Sequence, residues 1–579
     1  VSGISSKINK IRNWQASIVI AVLGLASYFT GLRSPFWDDD YRQIVNNVPV
    51  HSISNFLLFF KGGTFYNGQG LAPLGGYYYR PLMTTIFSVI YSIFGPHTFA
   101  FHLFQLLLCI GSAILLYLVF RYFFSALLAL VMAIVFLVHP LNSQVAFAIP
   151  YTQDALFFFF GILAFWLLLR FKSVKSLVLV SLSLFLSMLS KETAIVFIAV
   201  SILYVFWFNR KRFYAFVGIL VPPIALYLIL SIHAVGFSRH ANVAPIDKLN
   251  LASRLFTAPS IMLFYIYKFL LPWKLATAYY WVYPNFSSRY VLLPLIIDLA
   301  AIALVVYAAF RIRKKASKDQ FHGFIFFAIW AGLGMLTFFQ IIPLDMTASD
   351  VYFYFSMAGI LGMIGITLSV YQARINLKLF LVICVLVIVA LGFRTAMRGV
   401  DWHNTTSLAY QDISVSPDDY LAYQTIAADL ANQGKYAKAD AYISRSVSIY
   451  PTFSNYYSEG LVLTYLHNYS GAVSAYENAL KYGVNQDIYE NLAELTLVTN
   501  SPNLDGQIFT TALHYFPHDS KIWLCLAIVE QGYGDNAKAK VYLQTAENYG
   551  QAPQSVITAI TDNQRSTIRL TNLNVNINY

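Results

Sequence analysis

The chain has 579 residues, of which 58% are hydrophobic, 17% aromatic and only 11% charged, and its formal net charge is +12. Soluble globular chains carry about 25% charged residues, so the composition excludes a soluble globular protein and a disordered one, and the length exceeds one ordinary domain. The charge is divided. Residues 1–393 hold 28 Lys/Arg against 10 Asp/Glu, and residues 394–579 hold 11 against 17. A basic balance can signal nucleic acid. Here the basic residues sit between apolar runs, where they orient a chain in a membrane, and no nucleic-acid partner is expected.

An apolar run of about 17–22 residues can cross roughly 30 Å of hydrocarbon as a helix. About eleven such runs lie near 14–31, 99–120, 126–143, 152–169, 177–190, 193–208, 213–232, 291–310, 321–342, 351–371 and 377–393. Lys7, Lys10 and Arg12 precede the first run and no small-residue cleavage site follows it, so it reads as a signal anchor. With a cytoplasmic N-terminus, Arg121, Arg170/Lys172/Lys175, Arg210 to Arg212, Arg311 to Lys318 and Arg374/Lys378 fall on the cytoplasmic side, accompanied by one acid, Asp319. This is the positive-inside pattern. It sends the long segments 32–98 and 233–290 outside, along with everything after 393. Amphipathic stretches at 81–94 and 254–271 suit helices lying in the interface.

The last third repeats with a period near 34. Tyr423/Ala427/Ala439/Ile443, Tyr456/Gly460/Ala472/Tyr476, Tyr489/Ala493/Phe509/Ala512 and Trp523/Ala527/Ala539/Leu543 occupy equivalent places, with Pro451 and Pro517 closing two units. A large residue followed four later by a small one, then a second small-and-large pair, is the tetratricopeptide (TPR) spacing. Stacked helix pairs of this kind form a solenoid with a concave face suited to peptide or protein. The expected fold is therefore all-α: a polytopic helical bundle at 1–393, a linker at 394–419, repeats at 420–552 and a tail at 553–579.

Few polar groups in the membrane part are candidates for chemistry. Asp38, Asp39 and Asp40 follow the first span, and mutual repulsion among adjacent carboxylates can raise one pKa toward that of a general base. A solvated charge cluster or a helix cap would look the same. His139 with Gln144, Tyr151 to Asp154, and Lys191-Glu192 fall on the same membrane face by this topology, which makes an active site there reasonable. Cys109, Cys384 and Cys525 are far apart, and no residue set has metal-ligand spacing.

FWDDDYRQIVNN (36–47), YYRPLMTTIFSVIYSIFG (78–95), FHLFQLLLC (101–109), HPLNSQVAFAIPYTQDALFF (139–158), SKETAI (190–195), FLLPWKL (269–275) and Asp401-Trp402 together resemble, in order and spacing, the transmembrane and tetratricopeptide-repeat O-mannosyltransferases. That family belongs to the GT-C membrane glycosyltransferases and is related to the protein O-mannosyltransferases. It usually has Glu where Gln144 stands, Arg near Thr152, and an acid-Arg-x-x-Tyr run where this chain reads Asp350 to Tyr354.

The resemblance implies transfer of one sugar, with inversion, from a polyprenyl-phosphate donor to an acceptor hydroxyl, plausibly Ser/Thr of an exported protein held by the repeats. By the same resemblance Asp39 is the base, with Asp38 as the alternative. Lys191 and Arg80 contact the donor phosphate, and His139, Glu192, Asp154 and Asp40 support them. Metal dependence stays open. The membrane would be the bacterial or archaeal cytoplasmic membrane with the repeats outside, or that of the endoplasmic reticulum in a eukaryote. The competing expectations are an oligosaccharide ligase or polymerase and a non-catalytic, membrane-anchored assembly factor.

Overall fold

The computed structural model describes residues 11–37, 39–66, 78–236, 244–372, 376–499 and 502–562. They form helices and turns, and the one β-bridge among them joins Tyr279 to Ala348. The chain divides into two compact units, Val1–Asp419 and Tyr420–Tyr579.

In the first unit the α-helices of eight residues or more are α1 Asn13–Tyr28, α2 Pro81–Phe94, α3 Thr98–Phe120, α4 Ala126–Val138, α5 Thr152–Arg170, α6 Ser176–Ser190 and α7 Ile195–Phe208. They continue with α8 Phe213–Val235, α9 Leu251–Leu270, α10 Leu293–Lys315, α11 Lys318–Leu336, α12 Tyr354–Tyr371, α13 Leu377–Asp401 and α14 Thr405–Val415. Seven of the apolar runs are helices long and apolar enough to cross a membrane, which makes this an integral membrane protein. The run at 126–143 breaks at His139-Pro140 into a pair bent by 53°, and those at 177–190 and 193–208 are shorter apolar helices. The run at 321–342 stops being helical at Leu336, so among the described residues seven helices, or eight with the bent pair, have the length and composition of spans, beside the eleven runs read from the sequence.

Burial separates the helices into a core and a rim. The spans containing α3, α5 and α12 are mostly buried, whereas those of α10 and α13 are 17% and 6% buried and present Leu304, Val306, Leu386 and Val389 outward. Lipid tails are as apolar as these side chains, so the core is held by close van der Waals contact. Phe136, Phe158, Phe165, Phe197 and Trp330 fill it, and the Trp330 indole N–H donates to the Phe355 carbonyl at 3.2 Å. Where α12 crosses α11, a Cβ at Gly359 would stand 2.5 Å from the Ala331 backbone nitrogen, so only glycine permits that approach.

Residues 394–419, expected as a linker, are folded into the first unit. α13 runs on to Asp401, α14 follows, and Arg398 is buried between Asp401 and Asp412 at 3.2 and 3.3 Å. The apolar run that ends at 393 hides this, because the helix continues past it with polar residues that find buried partners.

The second unit is a series of helix pairs, α15 Tyr420–Asn432 with α16 Tyr436–Ile449, α17 Phe453–Tyr465 with α18 Tyr469–Leu480, α19 Gln486–Thr499 with α20 Pro502–Tyr515, and α21 Ser520–Tyr533 with α22 Asn536–Tyr549, followed by α23 Gln554–Thr561. Pairs begin at 420, 453, 486 and 520, matching the sequence period. Ala427, Ala439, Ala472, Ala493, Ala512, Ala527 and Ala539 are buried where helices cross. A Cβ on Gly460 would collide with the Tyr476 ring at 2.5 Å, so the small-then-large pairing is a packing requirement. Of the expected tail, residues 563–579 lie outside the described residues.

Candidate functional site

One group of buried charge in the first unit lies where α2, α5 and α7 begin. Arg80 immediately precedes Pro81 at the start of α2, Asp154 lies in the first turn of α5, and Lys191-Glu192 forms the break between α6 and α7. Each of these helices starts with a polar residue next to an apolar run, so packing the apolar faces draws the polar ends together. Lys191 Nζ donates to Asp154 Oδ1 at 2.7 Å, with side chains only 11% and 4% exposed. Arg80 makes a two-point pair with Glu192, Nη2 to Oε1 at 2.8 Å and Nε to Oε2 at 3.1 Å. Its Nη1 donates to Gln153, and its guanidinium carbon lies 4.0 Å from the centre of the Tyr78 ring. Burial disfavours the Arg80 cation, but Glu192 and Tyr78 outweigh it and hold the guanidinium charged.

The two cations are therefore not equivalent. Among the described residues Arg80 is fixed by three hydrogen bonds and by the Tyr78 ring, which leaves two of its five N–H groups, whereas Lys191 is held by one hydrogen bond out of three donors. Asp154 Oδ2 is buried and has no hydrogen-bond partner among the described residues. The Lys191-Asp154 pair keeps both donor and acceptor capacity in a nearly dry place, which is costly unless something fills it.

Asp39 is half-buried, and Tyr151 lies within electrostatic reach of Asp39, Asp154 and Asp345, which ties the first loop to the ion pairs. Asp38 lies outside the described residues. Asp40 has a local role: its Oδ2 accepts from the Trp37 N–H at 2.8 Å, and its own N–H donates to the Trp37 carbonyl at 2.9 Å. That closed turn beside Trp402 leaves Asp40 2% exposed. His139 is used on both nitrogens, Nε2 with the Phe269 carbonyl at 3.0 Å and Nδ1 accepting from the Leu141 N–H at 3.3 Å, and its ring stacks on Phe269. It holds the bend after α4 and takes no part in the ion pairs. Among the described residues, no three His, Cys, Asp or Glu side chains form a metal-ligand group.

Gln153 lies within the stretch Tyr151 to Asp154 already singled out, and sequence reasoning missed two contributors: Tyr78 stands two places from Arg80, and Asp345 is one of only ten acids in the first 393 residues. Tyr78 donates to Asp345 Oδ2 at 2.7 Å. Burial pushes the Asp345 carboxyl up, partly offset by that hydrogen bond and by Arg80.

A second polar cluster contains Gln144. Its Nε2 donates to the Thr277 carbonyl at 3.0 Å and its Oε1 accepts from Ser349 at 3.2 Å. Nearby, Lys268 Nζ donates to the Tyr279 hydroxyl at 2.9 Å, which in turn donates to Asp350 at 3.4 Å. Gln105 accepts from Thr152 at 3.2 Å and donates to the Val145 and Ala148 carbonyls. Gln144 and Thr152, two of the three places where charge was expected from the resemblance, are thus satisfied as neutral groups.

Residues 80–235 match the family of dolichyl-phosphate-mannose-protein mannosyltransferases, a stretch that contains Arg80, His139, Asp154, Lys191 and Glu192. The human (Homo sapiens) protein O-mannosyl-transferase TMTC1 is 30% identical over 227 residues, which is 36% of this chain and 25% of that protein. The mouse (Mus musculus) TMTC1 is also 30% identical, over 33% of this chain and 22% of that protein. The chain thus spans about a quarter of the length of the curated relatives it matches. Among solved structures, the archaeal oligosaccharyltransferase AglB from Archaeoglobus fulgidus is similar with a TM-score of 0.38 and 13% identity, over 74% of this chain and 59% of that one. The chain is similar to the TMTC-type O-mannosyltransferases of the GT-C class, and the paired charges at Arg80, Asp154, Lys191 and Glu192 fall inside the stretch 80–235 matched by the mannosyltransferase family.

Proposed function

We propose that the chain is a membrane glycosyltransferase that moves a single sugar from a polyprenyl-phosphate donor to an acceptor hydroxyl, Ser or Thr of an exported protein, on the extracytoplasmic face. The observation that carries this reading is the buried Lys191-Asp154 pair with spare bonding capacity, beside Arg80-Glu192 and within reach of Asp39 through Tyr151.

Asp39 takes the proton from the acceptor hydroxyl as its oxygen attacks the anomeric carbon from the face opposite the phosphate. The bond from the anomeric carbon to the phosphate oxygen breaks, and the electron pair leaves with polyprenyl phosphate, so configuration inverts. The unused N–H groups of Lys191 meet the charge growing on that oxygen. In a site this dry they stabilise it more than they would in water. Arg80, locked by Glu192 and Gln153, fixes the start of α2 and the carboxylate beside Lys191; it is a positioning residue. Asp154 holds Lys191 in place and presents Oδ2 to a donor hydroxyl. The helix pairs from 420 onward are assigned as tetratricopeptide repeats that present the acceptor segment, with 1–419 as the transferase body.

The test is direct. Purified full-length chain, given polyprenyl-phosphate mannose and a Ser/Thr-rich peptide, is expected to add one hexose per modified hydroxyl, read by mass spectrometry. Addition of a polymer would move the assignment to a ligase or polymerase. Absence of transfer with every lipid-linked hexose, together with no binding of polyprenyl phosphate, would leave the assembly-factor reading.

A further inference from the structure

The segment between α11 and α12 is built more elaborately than a connector needs. Gln340 has φ 59°, one of two non-glycine residues with positive φ among the described residues. Backbone strain of this kind persists only where the surroundings over-determine it, and here they do. The fully buried Gln340 amide donates to the Met346 and Thr347 carbonyls at 2.9 and 3.0 Å and accepts from the Leu344 N–H at 3.0 Å. Arg254 on α9 fastens the same turn from outside, donating to the Gln340 and Ile341 carbonyls at 2.8 and 3.1 Å. The loop therefore closes around one side chain and is pinned by another.

What the loop presents is Asp345. The carboxylate is half-buried, its Oδ2 takes the Tyr78 hydroxyl at 2.7 Å, and the Tyr78 ring covers Arg80. Its other oxygen has no hydrogen bond to a described residue. Asp345 also lies within electrostatic reach of Arg80, Glu192 and Tyr151. A strained, doubly fastened loop thus holds one half-buried acceptor oxygen beside the ion-pair patch. Backbone strain, side-chain clamping and a spare carboxylate oxygen meet at one residue that the mechanism above does not use.

We infer that Asp345 Oδ1 accepts a hydrogen bond from a substrate hydroxyl at the entrance of the site, making it a specificity-determining residue. The inference rests on the transferase reading. The hydroxyl belongs either to the transferred sugar or to the acceptor, and the kinetics separate the two.

The experiment compares wild type, Asp345→Asn and Tyr78→Phe in the full-length chain, varying polyprenyl-phosphate mannose and Ser/Thr peptide independently. Asp345→Asn keeps the side-chain shape and an oxygen for Tyr78. It is expected to raise KM for one substrate about tenfold to a hundredfold, the range for losing a hydrogen bond to a charged group, with kcat within about threefold. A rise confined to mannosyl lipid, with weakened discrimination against the glucosyl lipid, places the contact on the sugar. A rise confined to peptide places it on the acceptor. Tyr78→Phe keeps the ring on Arg80 and loosens the carboxylate, so it is expected to raise the same KM by less. Unchanged KM values in both variants, or an equal fall of kcat with neither KM moved, overturns the role of Asp345 while leaving the transferase reading intact. No transfer by wild type overturns the reading itself, and this inference with it.

Discussion

Lys191→Met and Asp154→Asn make the sharpest test of the ion-pair patch, because the structure predicts opposite outcomes for catalysis from two halves of one pair. The pair is buried, with side-chain exposures of 11% and 4%, so removing either partner strands the other, at a cost of about 3–5 kcal/mol of stability. Lys191→Met is the worse case for folding. It leaves Asp154 with Oδ1 newly unpaired beside Oδ2, which already lacks a partner. Melting of the detergent-solubilised protein should thus fall in both variants, and most of the loss should return in the double variant Lys191→Met/Asp154→Asn, where no lone charge is left. Donor use follows a different order. Lys191→Met and the double variant both lack the ammonium that meets the leaving phosphate, and kcat/KM for polyprenyl-phosphate sugar should fall about 10²–10³-fold, the usual loss for one charge-stabilising donor. Asp154→Asn keeps that ammonium and should stay within about tenfold of wild type. The reasoning is refuted if Lys191→Met retains kcat/KM within about threefold, or if the double variant regains activity along with stability, since Lys191 would then be a structural partner only.

Asp39→Asn should leave folding and lipid binding intact and lower single-turnover transfer by about 10²–10⁴-fold, the contribution of a positioned base; if Asp39→Asn and Asp38→Asn are both fully active, the base lies elsewhere. Burial lowers the Lys268 ammonium from 10.5 to about 8. Between those values the unfolded chain holds a proton that the folded chain does not, so wild-type stability should gain a contribution as pH rises from about 8 to 10.5. Melting curves of Lys268→Met should lack that gain, and an identical pH slope in the two proteins would reject the assignment. Gly359→Leu must push α12 away from the Ala331 backbone, costing about 3 kcal/mol or more; expression and melting equal to wild type would show that the two helices do not meet there.

How much of this was legible in the sequence depends on which physical signal each feature leaves. Periodicity found the helix pairs after Tyr420, because small residues such as Ala427 and Gly460 are forced wherever helices cross, and that requirement repeats every 33 or 34 residues. Apolar length found the seven helices long enough to cross a membrane and grouped shorter apolar helices with them. The His139-Pro140 break and the short helices at 176–190 and 192–208 have the composition of spans without the unbroken length, and composition cannot see a bend. Charge scarcity in an oily background pointed to Asp154, Lys191 and Glu192 and the resemblance pointed to Arg80, and the structure pairs these four, since a buried charge in such a chain must find a partner. It could not say who pairs with whom, and pairing changes the chemistry: Arg80 is clamped by Glu192, Gln153 and the Tyr78 ring, whereas Lys191 is held by Asp154. The same blindness applies to the Asp38-Asp39-Asp40 run, where adjacent identical residues diverge because Asp40 folds back on the Trp37 N–H while Asp39 stands half-buried near Tyr151. Asp345 left no motif at all. Its placement depends on the amide of Gln340, five residues away, and on Arg254 from another helix, a dependence written in the fold and not in local spacing. Motifs in such a chain locate where charge is tolerated, and the partners that hold each charged group then decide how it can meet a substrate.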